Sequence, residues 1–306
     1  MKKRRCPKGR AGPPRLAILS LMALLLAASV EVGAQEDPSP TPTPPPAPEG
    51  SATPAPPREK LSVRVFDALR REARRYASDS VALVKAPGDW NKTEWERMGG
   101  CALLVGGLMF FDKDVDRAAQ KQRSHFTDRL ASVTAALGDQ YGFHVSGALL
   151  IAGALFNHEN KRESGRDAIE AGVLAYVLDT LVIKRAVGRE RPFESNGRTV
   201  FVPGSSHDSF PSGHATEAFA VASVISARSK SWIIPVIAYS AATIVAIDRV
   251  NTRDHFASDV LAGAFLGSAV GHFIVNRHGE KEKGVLSKAD LQLVPIRHGL
   301  AARLTY

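Results

Sequence analysis

Six apolar stretches follow one another along this chain, near residues 98–111, 143–156, 168–183, 215–227, 232–247 and 257–275, separated by loops rich in glycine, proline and charge. Apolar runs punctuated in this way read as helices, and the predicted fold is all-α, a helical bundle. Strand-type alternation is confined to the tail, where Leu291, Leu293, Leu300 and Leu304 fit a short β-hairpin around His298–Gly299. Ahead of the bundle, the segment from Glu59 to Ala77 spaces Leu61, Val65, Phe66, Leu69 and Ala73 helically among arginines. That pattern predicts an amphipathic helix with a solvated basic face.

The same stretches pose the question of a membrane. Most are shorter than the roughly 20 apolar residues that a span needs, and Glu170, Asp179 and Glu217 lie inside them. With an exported amino end, six crossings would put the segments after the third and fifth stretches in the cytoplasm, and those segments carry every motif described below. The expectation is therefore a periplasmic domain, soluble or peripherally attached, whose helices pack against each other. A multi-pass inner-membrane protein is the alternative.

Export itself is read from the amino terminus. Lys2, Lys3, Arg4, Arg5, Lys8, Arg10 and Arg15 precede an apolar stretch from Leu16 to Ala28 and the small residues Val32-Gly33-Ala34, the pattern of a signal peptide. The formal charge of +9 owes much to this segment. Cleavage after Ala34 removes seven cations and one anion and leaves +3, too little for a nucleic-acid footprint. From Asp37 to Pro57 the sequence DPSPTPTPPPAPEGSATPAPP has almost no apolar side chains and reads as an extended tether. The expected organisation is a signal peptide (1–34), a Pro-rich linker (35–58), a helical lead-in (59–89), a core domain (90–280) and a tail (281–306). Of the two cysteines, Cys6 falls in the signal peptide, so Cys101 has no internal partner and is expected to be a small buried hydrophobe.

Three short motifs stand at helix ends. In the first, Lys184 is followed after six residues by Arg191-Pro192; a lysine and an arginine converging there can hold a phosphate by point charge and by bidentate fork. The second is Pro211-Ser212-Gly213-His214, where the amides of a helix start suit an anion, Gly213 lets the backbone approach it, and His214 stands ready to protonate a leaving alkoxide. In the third, Arg249 is followed after five residues by His255 and after three more by Asp259. His255 and Asp259 are i and i+4 on one helix face, so the carboxylate can accept the Nδ1–H bond and leave Nε2 free to attack. Singly, each has a plainer reading: basic residues serving a helix dipole, Ser212 as a helix cap, His255 and Asp259 as a surface hydrogen bond or a metal fragment.

In this order the three motifs resemble the signature of the type 2 phosphatidic acid phosphatase and vanadium haloperoxidase superfamily, which includes bacterial class A acid phosphatases. The resemblance covers residues 90 to 275. It implies a helical core, no catalytic metal or other cofactor, and phosphoryl transfer with His255 as nucleophile, Asp259 as its orienter and His214 as general acid. It also implies that Lys184, Arg191, Ser212, Gly213 and Arg249 bind the phosphate. One position departs from the family: Asp248 stands where a serine usually precedes the arginine of the third motif, and its carboxylate must turn away from phosphate or pair with Arg249 or Arg253.

The substrate class is a phosphorylated small molecule or a lipid phosphate or diphosphate, with vanadate as an inhibitor, no nucleic-acid partner and an optional membrane association. Two alternatives are a vanadate-dependent haloperoxidase, with vanadate as cofactor in the same cradle, and a non-catalytic envelope scaffold. The remaining histidines are assigned no role: His272 as a packed helix residue, His207 as a loop residue bordering the site, and His125, His144, His158, His278 and His298 without metal spacing. Asp112, Asp114 and Asp116 read as a charged helix end.

Overall fold

The structure is a computed structural model that describes residues 61–124, 159–195, 199–288, 290–296 and 299–305. The expected signal peptide and tether, the apolar stretch 143–156, and His125, His144, His158 and His298 lie outside the described residues. The chain divides into two compact units, residues 1–77 and 78–306. In the first, the described residues are the opening turns of helix α1 (Leu61–Lys85), which continues past the expected end at Ala77 until Pro87 forces a 3-10 turn at Ala86–Asp89.

The second unit is helical. Helix α2 (Lys92–Met109) starts at a capping box, in which Asn91 Oδ1 accepts from the Glu94 amide at 3.1 Å and Glu94 Oε2 accepts from the Asn91 amide at 2.7 Å. Helix α3 (Asp112–Lys121) follows directly. Helix α4 (Glu159–Val177) runs through a π-helical turn (Leu178–Ile183) into the short α5 (Lys184–Val187). Then come α6 (Gly213–Arg228), α7 (Ile233–Asn251) and α8 (Ala257–Lys288). The expected hairpin is present as β1 (Asp290–Ile296) and β2 (Gly299–Thr305), antiparallel, with Asp290 opposite Thr305 and Ile296 opposite Gly299. Gly299 is thus the first residue of β2 rather than part of the turn.

Helix α6 is the hub, packed against α4, α7 and α8. Its core is built from small residues: Ala168, Ala171 and Ala175 of α4 meet Ala220, Val221 and Val224 of α6 and Val270 and Ile274 of α8. Short side chains let the helix axes approach, and Gly263, Gly267 and Gly271 carry this furthest. A Cβ on Gly267 would stand 2.0 Å from the Thr216 carbonyl oxygen, so α6 and α8 touch backbone to backbone. This close approach joins the starts of the two helices, where the Ser212 amide donates to the Asp259 carbonyl at 3.0 Å. The second and third motifs are neighbours for that reason.

A polar clamp ties the other ends of the helices. His278 of α8 lies between Asp167 of α4, 2.8 Å from Nδ1, and Asp79 of α1, 2.9 Å from Nε2. Arg277 donates to Asp79 at 2.6 Å and Arg228 of α6 to Asp167 at 3.0 Å, so the buried carboxylates are neutralised where they sit. Asp79, Glu170 and His278 form the group among the described residues whose ligand-type atoms gather within 4.8 Å. They come from three helices far apart in sequence, which is why no spacing announced them.

The expectation that the helices bury their apolar faces against each other fails at α7. Trp232, Ile233, Val236, Ile237, Ile244 and Ile247 are all exposed, Trp232 by 79%. Leu103, Leu104, Phe110 and Phe111 of α2 and its end are exposed as well. Ile233–Asn251 and Ala257–Gly279 are long and apolar enough to cross a membrane. An apolar surface of this extent is stable against lipid and costly in water, which favours membrane association over a freely soluble domain.

Candidate active site

The π turn aims the first group. The Lys184 amide donates to the Asp179 carbonyl five residues back, and this wider turn brings the two side chains to one face, Lys184 Nζ lying 3.6 Å from Asp179 Oδ2. Lys184 Nζ also donates to the Asp208 carbonyl at 2.9 Å. Gly213 fits against this pair: a Cβ there would meet Asp179 Oδ2 at 3.0 Å and Lys184 Nζ at 3.6 Å. Burial pushes the Asp179 carboxyl up to about 6, against the pull of Lys184.

Arg191 stands on the loop after α5. Its Nε and NH2 donate to the two carboxylate oxygens of Asp208 at 2.7 and 2.8 Å, and its NH1 lies 3.9 Å from Asp254. Asp254 also accepts from Arg249 NH1 at 3.4 Å, so one carboxylate links the arginines of the first and third motifs. The displaced family serine is resolved here too. Asp248 pairs with Arg249 beside it, while Arg253 turns to Asp116 at 2.9 Å. Three cations, Lys184, Arg191 and Arg249, therefore converge with their charge already partly balanced.

Ser212 occupies the N-cap position of α6 but makes no side-chain cap. Its hydroxyl is buried and takes no hydrogen-bond partner among the described residues, whereas Thr216 Oγ1 donates to the Ser212 carbonyl at 2.9 Å. The capping alternative drops out. His214, in the first turn of α6, is half-buried, with its ring centroid 6.5 Å from that of His255.

His255 is buried, and the partner of its Nδ1 differs from the expectation. Nδ1 lies 2.7 Å from the Ser209 carbonyl oxygen, not against Asp259. A carbonyl only accepts, so Nδ1 carries the proton and the neutral ring exposes a lone pair at Nε2. The expected tautomer holds, but the orienter does not. Asp259 is occupied otherwise: Oδ2 accepts from Ser209 Oγ at 2.7 Å and from the Phe256 amide at 2.8 Å, and Oδ1 from Arg189. Asp259 thus reaches His255 through Ser209. The i,i+4 spacing implied one shared helix face, but α8 begins only at Ala257, so His255 stands ahead of the helix and the loop at Ser209 supplies its acceptor.

Arg189, fully buried, had no role in the sequence reading. Its guanidinium joins Asp259 to Asp112, 2.7 Å away, and stacks on Phe256, with 4.1 Å between Cζ and the ring centroid. Asp112 further accepts from the Ser258 amide at 2.9 Å. Asp112 and Asp116 are therefore buried ties between α3 and the site rather than a solvated helix end; of the three, only Asp114 keeps an exposed local pair, with Arg117. Two smaller corrections concern His272, which is exposed and bonds the Ser268 carbonyl, and Cys101, which is only half-buried; His207 sits in a loop as expected, 3.5 Å from Glu190 and 3.7 Å from Glu194.

The environment sets the charge of the nucleophile candidate. Burial, and then the positive charges of Lys184, Arg191 and His214, hold the His255 imidazole well below its usual 6.5. The neutral, attacking form persists as pH falls through that value. The acid limb of kcat/KM is accordingly expected below pH 6.5, and a limb at or above it in a steady-state pH profile would show that another group is titrating.

Seven side chains and Gly213, from three separate motifs, are thus gathered at neighbouring helix ends, with Lys184, Arg191 and Arg249 linked through Asp208 and Asp254. The PAP2 superfamily model matches residues 167–283. Decaprenylphosphoryl-5-phosphoribose phosphatase of Mycobacterium tuberculosis is 31% identical over 166 residues, covering 53% of this chain and 89% of that protein. Lipid A 1-phosphatase of Porphyromonas gingivalis is 37% identical over 90 residues, 29% of this chain and 18% of that protein. Among solved structures, Aquifex aeolicus LpxE is similar at 26% identity with a TM-score of 0.44, covering 53% of this chain and 93% of that one. The chain belongs to the PAP2 superfamily and is a phosphatase of that family, a phosphoric monoester hydrolase.

Proposed function

We propose that this chain hydrolyses a lipid-linked phosphate at a membrane surface without a metal, through a phosphohistidine formed on His255. The observation that carries the mechanism is the Ser209 carbonyl at His255 Nδ1, which leaves the Nε2 lone pair as the attacking group. In the first step the Nε2–phosphorus bond forms as the phosphorus–oxygen bond to the leaving group breaks, and His214 gives its proton to the departing alkoxide. In the second step water attacks phosphorus, the nitrogen–phosphorus bond breaks, and His214 takes the water's proton. Inorganic phosphate and the free enzyme result.

Lys184, Arg191 and Arg249 supply the positive charge around the equatorial oxygens, and the Ser212 hydroxyl with the amides at the start of α6 completes the cradle. The lipid substrate class is supported by the exposed apolar face of α7 and by the names of the relatives, which are phosphatases of lipid-linked phosphates. Those names also favour a phosphatase over a haloperoxidase or a scaffold. Export and a periplasmic site rest on the basic and apolar amino-terminal pattern.

The test is a substrate panel on the purified chain: phosphatidic acid and a polyprenyl phosphate in mixed micelles against p-nitrophenyl phosphate, each with and without excess EDTA and with vanadate. Turnover is expected to favour the lipid phosphates, to persist in EDTA and to be inhibited by vanadate, which mimics the trigonal bipyramidal transition state. Loss on chelation with recovery on adding a divalent metal would overturn the metal-free mechanism.

A further inference from the structure

One short loop segment, ahead of Pro211, holds more of the site than either helix that flanks it. The Asp208 carboxylate takes Arg191 Nε and NH2, its carbonyl takes Lys184 Nζ, and the next residue, Ser209, accepts from His255 Nδ1 through its carbonyl and donates its hydroxyl to Asp259. No motif includes Asp208, and the cations it touches are the two of the first motif. The side of the guanidinium that it occupies matters. A bidentate carboxylate on the Nε–NH2 side uses two of the five N–H donors and leaves NH1, with both of its donors, on the side that looks toward Asp254 and Arg249.

Resting on the phosphatase reading above, we propose that Asp208 is a positioning residue of the phosphate site, which locks the Arg191 fork so that its NH1 edge faces the phosphoryl oxygens and fixes Lys184 beside Gly213. A long arginine side chain on a loop would otherwise lose its rotamer freedom at the moment of binding; the clamp removes that cost beforehand. The carboxylate also brings negative charge near an anion. Burial works against its ionisation, but the hydrogen bonds and charge of Arg191 prevail and hold Asp208 below the usual carboxylate range, so it stays charged throughout the working pH.

That charge is visible in the pH profile. His255 faces the cations Lys184 and Arg191 and the ring of His214; Asp179 stands beside Lys184, Asp254 bridges Arg191 and Arg249, Asp248 pairs with Arg249, and Asp259 reaches the ring through Ser209. Removing Asp208's charge leaves Lys184 and Arg191 less balanced, disfavours the imidazolium further and moves the acid limb to lower pH.

The experiment uses the purified full chain with phosphatidic acid in mixed micelles and compares wild type, Asp208→Asn, Asp208→Glu, Arg191→Lys and the double variant Arg191→Lys with Asp208→Asn. In Asp208→Asn, kcat/KM is expected to fall about tenfold or more, chiefly through KM, with the acid limb shifted down. Asp208→Glu recovers part of the KM and keeps the wild-type limb. In the Arg191→Lys background, where there is no fork to clamp, Asp208→Asn should cost less than about threefold. An unchanged KM and limb in Asp208→Asn, or the same loss in both backgrounds, would overturn the proposal. If the asparagine variant fails to fold, Asp208→Ser takes its place, and an unchanged KM and limb there would equally overturn it. A wild type without turnover, or full turnover in His255→Ala, removes the phosphatase reading and this proposal together; His255-dependent turnover with unaltered Asp208→Asn kinetics removes this proposal alone.

Discussion

His255→Ala is expected to abolish phosphatase turnover, lowering kcat by at least about 10⁴-fold with the fold intact. The ring is buried, and its Nδ1 contact is to a backbone carbonyl, so removing it leaves a small void and a single carbonyl without its donor rather than a stranded charge. The stability cost is therefore modest and the chemical cost large. The carboxylates of Asp208, Asp248 and Asp254, among the described residues beside Lys184, Arg191 and Arg249, are each engaged by an arginine. Trapping of a phosphoenzyme from labelled substrate by quenching in alkaline denaturant gives the direct readout. The wild type should yield an acid-labile, base-stable adduct, and its persistence in His255→Ala would locate the phosphoryl group elsewhere.

Arg189→Ala is expected to be the most damaging substitution outside the proposed phosphate ligands. Arg189 is the positive partner of two buried carboxylates, Asp112 and Asp259, each no more than 1% exposed, and its guanidinium fills the space beside Phe256. Truncation leaves both carboxylates without that charge and opens a cavity, which together cost about 3–5 kcal/mol by the measure of broken buried pairs. Asp259 is then free to move, Ser209 loses its anchor, and the carbonyl that sets the His255 tautomer shifts with it. Thermal unfolding should show a clearly lowered midpoint, and turnover should fall even at temperatures where the variant is folded. A variant with wild-type melting and wild-type kcat would mean that the Asp112–Arg189–Asp259 chain has no hold on the site. Lys at this position is not a conservative replacement, because one ammonium cannot serve both carboxylates and stack on the ring.

The two arguments draw on different parts of the molecule. The proposed chemistry of His255 was legible because the candidate nucleophile, general acid and phosphate ligands are carried by short local patterns whose spacing survives in the linear chain: Lys184 with Arg191, Ser212 with Gly213 and His214, Arg249 with His255 and Asp259. Helix periodicity likewise announced the all-α fold, and leucine alternation in the tail announced the hairpin. These are local signals, set by a few consecutive residues, and tertiary contacts did not override them.

What holds those residues in place was not legible. Ser209 rather than Asp259 meets the imidazole because His255 lies ahead of α8 and a loop from another part of the chain passes beside it. Arg189 and Asp112, in sequence, are two charges among many in polar segments, and only packing reveals that they are buried together beneath α8. The exposed face of α7 belongs to the same class, since hydropathy counts apolar residues but burial depends on what the rest of the chain leaves uncovered. The sequence by itself determined the helical class, the family and the proposed phosphate ligands, because each is written in neighbouring positions; the tertiary structure alone decided the partner of His255, the buried ion pairs behind it and the apolar face left uncovered, because each depends on residues brought together from distant parts of the chain.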